Sequence, residues 1–239
     1  MLKKTLLLTA RDYNTGINAY VLANSKEINS SFNVKVAVDI PSTRIFKGSN
    51  RHYEIIDCKE CYSSDSKEFN KTILRAKNFL KNVKPDVLLT GITGEGIAID
   101  EIAVSIFKGK IPTFSYQDYW GYLNQTLGDV ADKILLMDEA ASLATSNKYP
   151  NIETEIVGSL KYDYIKNHKR THLKAKCTHT EKNRNQEYWV FIGQPLHQLQ
   201  TYLDTVNFLY HESKKRHIPC YYIPHPAEQF QHIQSKIPL

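Results

Sequence analysis

Hydrophobic positions along the chain fall into two alternating patterns. Apolar runs of strand length lie at 5–10, 33–40, 53–56, 86–90, 113–116, 133–137 and 155–157. Between several of them the spacing changes to a helical one and predicts helices over 15–30, 67–82, 96–108 and 139–148. In the second of these, Phe69, Ile73, Ala76 and Leu80 share one face, the spacing of a helix lying on a sheet. Strand–helix alternation implies right-handed crossovers and a mainly parallel, doubly wound sheet, so the expected class is α/β. Lys84-Pro85-Asp86 closes one helix and launches Val87-Leu88-Leu89-Thr90, an unbroken apolar strand of the kind buried on both faces. Lys110-Ile111-Pro112 does the same before Thr113-Phe114-Ser115-Tyr116.

A helical pattern continues into 159–171 and then fades, and 172–186 is polar with no apolar run. This predicts a Rossmann-like domain over 1–165, a basic linker over 166–186 and a second domain over 187–239. The second part reads as strand (188–192), helix (198–216) and strand (220–223). One β-α-β unit cannot enclose a core of its own. Either it extends the first sheet or it opens a further domain that ends early at Leu239. An exposed edge after 221–223 is then expected to be mobile, aggregation-prone or covered in a homodimer.

Charge adds one feature. The chain carries 31 Lys/Arg against 25 Asp/Glu, a net +6. The whole excess sits in 161–184, where eight basic residues face only Asp163 and Glu181. Basic residues of a nucleic-acid binder spread over a folded face, often between aromatics, so nucleic acid is excluded as a partner. The plain reading is a solvated connector. A surface meeting anionic lipid or a phosphorylated acceptor is the functional alternative, and would bring peripheral membrane contact. The apolar start is too short for an export signal and stops at Arg11-Asp12. The expected location is therefore the cytoplasm, with the four cysteines reduced.

Ligands of doubly wound sheets bind beyond the carboxyl ends of the strands, so the loops that follow strands hold the candidate chemistry. Arg11-Asp12-Tyr13-Asn14-Thr15-Gly16 puts one glycine near a helix N-terminus, which favours anions, but it lacks a dinucleotide fingerprint. Its plain reading is a capped strand-to-helix turn. Gly91-Ile92-Thr93-Gly94-Glu95-Gly96 has three glycines that allow close backbone approach. Glu95 is expected at the start of the next helix, as a dipole-stabilising acid or as a carboxylate facing a cleft. Ser115-Tyr116-Gln117-Asp118-Tyr119-Trp120-Gly121-Tyr122 packs one acid among aromatics. Such surroundings raise a carboxylate's pKa, as general acid–base work needs, and aromatic faces stack on sugars or bases. In Ile223-Pro224-His225-Pro226-Ala227-Glu228 a histidine is held by stiff backbone and could donate to a phosphate. Cys58-x-x-Cys61 is half a zinc site with no second half, Cys177 and His179 are remote, and His168 and His172 sit in the charged stretch; no metal is expected.

Taken in order, these segments resemble the GT-B superfamily. They look most like the non-hydrolysing UDP-N-acetylglucosamine 2-epimerases and bacterial capsule- and sialyltransferase-like glycosyltransferases. The likeness rests on Lys84-Pro85-Asp86 with its strand and Glu95, Ile111-Pro112 through Asp118, and Ala131-Asp132 with its strand. It continues through Val157-Gly158 to Asp163, Gln194-Pro195-Leu196 and His225-Pro226. Where an epimerase pattern has a histidine and a glutamate in the fifth-strand turn, this chain has Tyr116-Gln117-Asp118. The resemblance implies a GT-B first domain on the acceptor side and a partial second domain that takes a nucleotide sugar. A domain begun but not finished implies reduced activity.

It further implies sugar transfer from a UDP- or CMP-sugar to a glycan or lipid-linked acceptor in surface polysaccharide biosynthesis, with no further cofactor. Asp118 or Glu95 would be the base. Asp12, Thr15, Gly16, Thr93, Gly94, Tyr116, Trp120, Gly158, Gln194, His225 and Glu228 would bind substrate or nucleotide. Two alternatives stay open: a 2-epimerase-like enzyme using the same acids, and a non-catalytic nucleotide-binding fragment.

Overall fold

The computed structural model describes residues 3–47, 52–56, 67–92, 94–162, 164–166, 187–194, 196 and 198–224. Of the segments singled out above, Thr93, Asp163, 167–184 with its basic residues, His225, Glu228 and the Cys58–Cys61 pair lie outside them.

Seven strands run parallel in one sheet: β1 (Lys4–Ala10), β2 (Phe32–Val38), β3 (Glu54–Ile55), β4 (Val87–Gly91), β5 (Thr113–Tyr116), β6 (Lys133–Leu136) and β7 (Glu153–Ile156). Their order is β3-β2-β1-β4-β5-β6-β7, so the connection direction reverses between β1 and β4. That reversal makes the sheet doubly wound, with apolar side chains needed on both faces. Along β1 the pleat alternates accordingly. Leu6, Leu8 and Ala10 pack with Val36, Val38, Phe46 and helix α1 (Tyr13–Asn24), whereas Leu7 packs with Leu88 and Ile134 on the opposite side. That second core also takes Phe69, Ala76 and Leu80 of α4 (Lys67–Val83) and Ile99, Ile102 and Ala103 of α5 (Ile99–Phe107).

Two acids that mark strand starts in the sequence prove to be clips. Asp86 accepts the Thr5 N–H at 2.7 Å and returns its own N–H to the Thr5 carbonyl at 2.9 Å, joining the starts of β4 and β1. Asp132 accepts both the N–H and the hydroxyl of Thr113, at 2.9 and 2.8 Å, and joins β6 to β5.

Several predicted bounds shift. The helix expected over 15–30 is two: α1 ends where Ser25 caps α2 (Lys26–Ser31), its hydroxyl accepting the Ile28 N–H at 3.3 Å. The strand expected to reach 40 stops at Val38, because the Asp39 side chain accepts the Ile40 N–H and starts a short 3-10 turn, Ile40–Ser42, ahead of α3 (Thr43–Phe46). The helix expected from 96 begins at Ile99. In contrast α6 (Glu139–Lys148) has the predicted bounds, with Asp138 as its N-cap.

The chain divides into two units, Met1–His172 and Leu173–Leu239. In the second, parallel strands β8 (Trp189–Ile192) and β9 (Cys220–Ile223) are joined by α7 (Gln200–Arg216), whose Tyr202, Leu203 and Val206 cover Phe191 and Tyr222. Among the described residues no helix is long and apolar enough to cross a membrane.

One close approach fixes the first unit's working edge. A Cβ on Gly91, at the end of β4, would lie 2.2 Å from Thr15 Cγ2 and 2.4 Å from Thr15 Cβ. Gly91→Ala is expected to destabilise the fold by about 1–3 kcal/mol through overpacking. Thr15→Ser, which removes Cγ2, is expected to relieve part of that cost. Urea denaturation of the two single variants and the double variant measures both effects.

Candidate functional site

Because the strands are parallel, the loops after β1, β4, β5, β6 and β7 all open on one edge of the sheet. The β1 loop is shaped by helix capping. Asp12 Oδ1 accepts the Thr15 N–H at 2.9 Å, and Thr15 Oγ1 accepts the Asp12 N–H at 3.1 Å. Thr15 is thereby committed to the cap. Gly16 faces the 3-10 turn, where an added Cβ would sit 3.1 Å from Ser42 Cβ.

The β4 loop is held from below. Arg11, buried at the end of β1, donates to the carbonyls of Gly94 (3.3 Å) and Glu95 (3.1 Å). Asn124 donates to the carbonyls of Gly94 and Gly96, each at 2.9 Å, and to Glu101 Oε1 at 2.8 Å. Gly96 needs to be without a side chain, with φ at 113°. Gly94 and Glu95 are exposed and precede α5. The helix-start role expected of Glu95 belongs instead to Asp100 and Glu101, both buried. Glu101 accepts the Ala98 N–H at 2.9 Å. Asp100 accepts the Thr9 hydroxyl and, at 3.0 Å, the Arg11 N–H; burial and then the neighbouring Glu101 charge push its pKa well up.

The β5 loop holds the most unusual carboxylate. Tyr116, buried, donates its hydroxyl to the Gly158 carbonyl (2.9 Å) and accepts the Leu160 N–H (3.2 Å), which fixes the loop after β7. Gly158 itself turns with φ at 89°. Gln117 is fully buried, donating to the Tyr122 carbonyl at 3.0 Å and exchanging hydrogen bonds with Thr145. Between these fixed points stands Asp118, half-buried, with Oδ1 sealed from solvent and without a hydrogen-bond partner among the described residues. Burial, followed by the charge of Asp12, raises its pKa to about 6; Lys161 and its own backbone N–H oppose the rise. Burial, then the charges of Asp118 and Asp12, raises the pKa of Tyr119. Trp120 donates Nε1 to Asp138 at 3.0 Å.

The structure therefore brings Asp12, Asp118 and Trp120 to one edge, with Tyr116 and Gly158 as its framework. Glu95 stands on the same edge without a side-chain hydrogen bond to any of them. Gln194 belongs to the second unit, exposed, with its N–H donated to the Tyr202 hydroxyl at 3.0 Å. Sequence reasoning did not single out Arg11, Asn14, Asp138 or Lys161. Asp138 carried a signal, an Asx residue directly before a helical run, and Lys161 was counted only among the basic residues. Among the described residues no group of three or more His, Cys, Asp or Glu is placed to hold a metal ion.

No protein-family model and no curated protein matches the chain. Solved structures do. The S. aureus MnaA–UDP co-structure superposes with a TM-score of 0.74 at 12% identity, covering 98% of this chain and 66% of that one. UDP-GlcNAc 2-epimerase from Neisseria meningitidis bound to UDP-GlcNAc gives 0.66 at 11% identity, covering 98% and 68%. A glycotransferase of kitacinnamycin gives 0.51 at 10% identity, covering 89% and 64%. The fold is thus that of GT-B proteins, with a Rossmann-like seven-stranded sheet followed by a parallel β-α-β unit. The chain spans about two thirds of the length of these structures.

The raised pKa of Asp118 has a consequence for stability. The folded state holds this proton more tightly than the unfolded chain, so the penalty is absent below about pH 4 and complete above about pH 6. Asp118→Asn, which mimics the protonated form, is expected to stabilise the protein by about 1–2 kcal/mol near pH 8, discounted for the solvent that reaches Asp118, and to be neutral near pH 4. Urea denaturation at both pH values measures the difference.

Proposed function

We propose that this chain is a glycosyltransferase-like protein that uses a nucleotide sugar, a UDP- or CMP-sugar, and acts in surface polysaccharide biosynthesis. The observation that carries the reading is Asp118: a half-buried carboxylate at the carboxyl edge, with a pKa near 6 and an oxygen left without a partner. Such a group is basic enough to take a proton near neutral pH, through the carboxylate oxygen other than the sealed Oδ1. In the proposed step the acceptor hydroxyl gives its proton to Asp118 while its oxygen bonds to the anomeric carbon. The bond from that carbon to the phosphate oxygen breaks, and the nucleotide leaves with the electron pair. Asp12 keeps Asp118 basic by its charge, and Lys161 balances it. His225, outside the described residues, is assigned from the sequence to the leaving phosphate.

A second reading is favoured by the likeness to solved 2-epimerases, one of them bound to UDP-GlcNAc. In it Asp118 removes a proton from the carbon beside the anomeric centre. Incubation of the full chain with UDP- and CMP-sugars separates the two. Free nucleotide that appears only with an acceptor supports transfer; a nucleotide sugar that changes configuration supports epimerisation; nucleotide bound with neither change leaves a non-catalytic nucleotide-binding chain, and no nucleotide bound at millimolar concentration excludes all three.

On the transfer reading, kcat/KM is expected to rise through about pH 6 and then level off. Asp118→Asn is expected to lower the rate by about 100- to 10,000-fold while leaving the nucleotide Kd unchanged. A pH–rate profile of both proteins checks this. An Asp118→Asn variant with full activity would exclude Asp118 as the base.

A further inference from the structure

Beside Asp118 two aromatic rings are turned to solvent, Tyr119 at 52% exposure and Trp120 at 61%. Single exposed aromatics are common and need no explanation. These two differ in standing on an anchored backbone, with the Trp120 ring itself held. The backbone under them is anchored by the fully buried Gln117 on one side, and on the other by Gly121, whose φ of 64° seats it against Ala144. Trp120 has its one polar atom engaged by both Asp138 oxygens, at 3.0 and 3.2 Å. Tyr119, the residue before it, lies where the charges of Asp118 and Asp12 act on it. An exposed ring held by its polar end, as Trp120 is, has already lost the rotamer freedom that stacking would cost it. The two rings follow Asp118 directly in the chain, and its charge acts on Tyr119.

Charge on this edge narrows what can lie on the rings. Asp12, Asp118 and Asp138 are close enough for their charges to act on the tyrosines between them, and Lys161 is the cation that acts on Asp118. Aromatic faces are themselves electronegative. A phosphate or carboxylate laid there meets like charge; a neutral sugar face, or one bearing an amine, does not.

We propose that Tyr119 and Trp120 form a carbohydrate platform, and that it takes an uncharged or amine-bearing pyranose in preference to a phosphorylated or carboxylated one. The inference rests on the transfer reading in one respect: the stacked sugar is the acceptor whose hydroxyl meets Asp118. The nucleotide, being anionic, binds elsewhere.

The test uses the full chain with Trp189→Phe, which leaves Trp120 as the sole tryptophan of the two. Its fluorescence is titrated with methyl glucoside, N-acetylglucosamine, glucosamine, glucose 6-phosphate, glucuronic acid and, separately, UDP. At least one neutral or aminated sugar is expected to saturate the signal, with the phosphorylated and carboxylated sugars weaker by about tenfold or more. Saturation-transfer NMR on Trp120→Ala, which does not depend on the fluorophore, is expected to show about a tenfold loss of that sugar, a smaller loss for Trp120→Phe and unchanged UDP binding. The platform is overturned if no sugar binds, if the phosphorylated sugar binds as well as the neutral one, or if Trp120→Ala leaves sugar binding intact. UDP bound with no sugar bound sinks the platform and leaves the transfer reading standing. Sugar bound through Trp120 with no turnover of any nucleotide sugar does the reverse.

Discussion

Thr15 approaches the end of β4 so closely that one methyl group on Gly91 would have no room. This approach decides where α1 begins, and α1 decides where Asp12 and Asn14 stand. β4 lies between β1 and β5 in the sheet, so a loop from β1 can meet a loop from β5 only by passing over the end of β4. A side chain at that end would lift α1 and part the two loops. With glycine there, the charge of Asp12 bears on Asp118 and Tyr119. The chemistry of the carboxyl edge thus depends on a residue that takes no part in it.

The same edge contains two kinds of raised carboxylate, and their surroundings separate their roles. Asp100 is buried, but its oxygens receive the Thr9 hydroxyl and the Arg11 N–H, and it sits among the groups that hold the β4 loop. It is spent on structure. Asp118 is less buried, yet one oxygen has no partner. A polar atom sealed from water and left unmatched is costly, and the protein keeps it at the end of a strand in an otherwise well-satisfied loop. Arg11, Gln117, Asn124 and Tyr116 spend their hydrogen bonds on backbone or on other framework groups, which is what lets Asp118 go without.

Much of the fold was legible because its signals are local. β5 and α6 matched their predicted bounds, one launched by Ile111-Pro112 and the other by Asp138 as cap. The Lys84-Pro85-Asp86 and Ala131-Asp132 signatures were legible as strand starts, though not as clips, since their partners Thr5 and Thr113 are chosen by strand pairing. Misplaced bounds came from side chains competing with the backbone: Ser25 restarting a helix, Asp39 ending a strand. In the site, Asp118 was visible as an acid among aromatics at a strand end. Asp100 and Glu101 were not, because an acid in a first helical turn looks the same whether buried or exposed. Lys161 was hidden for another reason: it opens the run of eight basic residues in 161–184, and only the Tyr116 clamp on Gly158 and Leu160 sets it apart from the rest.

The proposed chemistry turns on the state of one carboxyl group, and that group can be observed directly. Carbon-13 NMR of the Asp118 carboxyl across a pH titration reports its ionisation in the intact chain. The same titration on Asp12→Asn, which retains a capping side chain for α1, removes the neighbouring charge while keeping the helix start. A midpoint near 6 in the native chain, moving down in Asp12→Asn, is the predicted result. A midpoint near the ordinary carboxylate value of about 4, unmoved by the substitution, would contradict it.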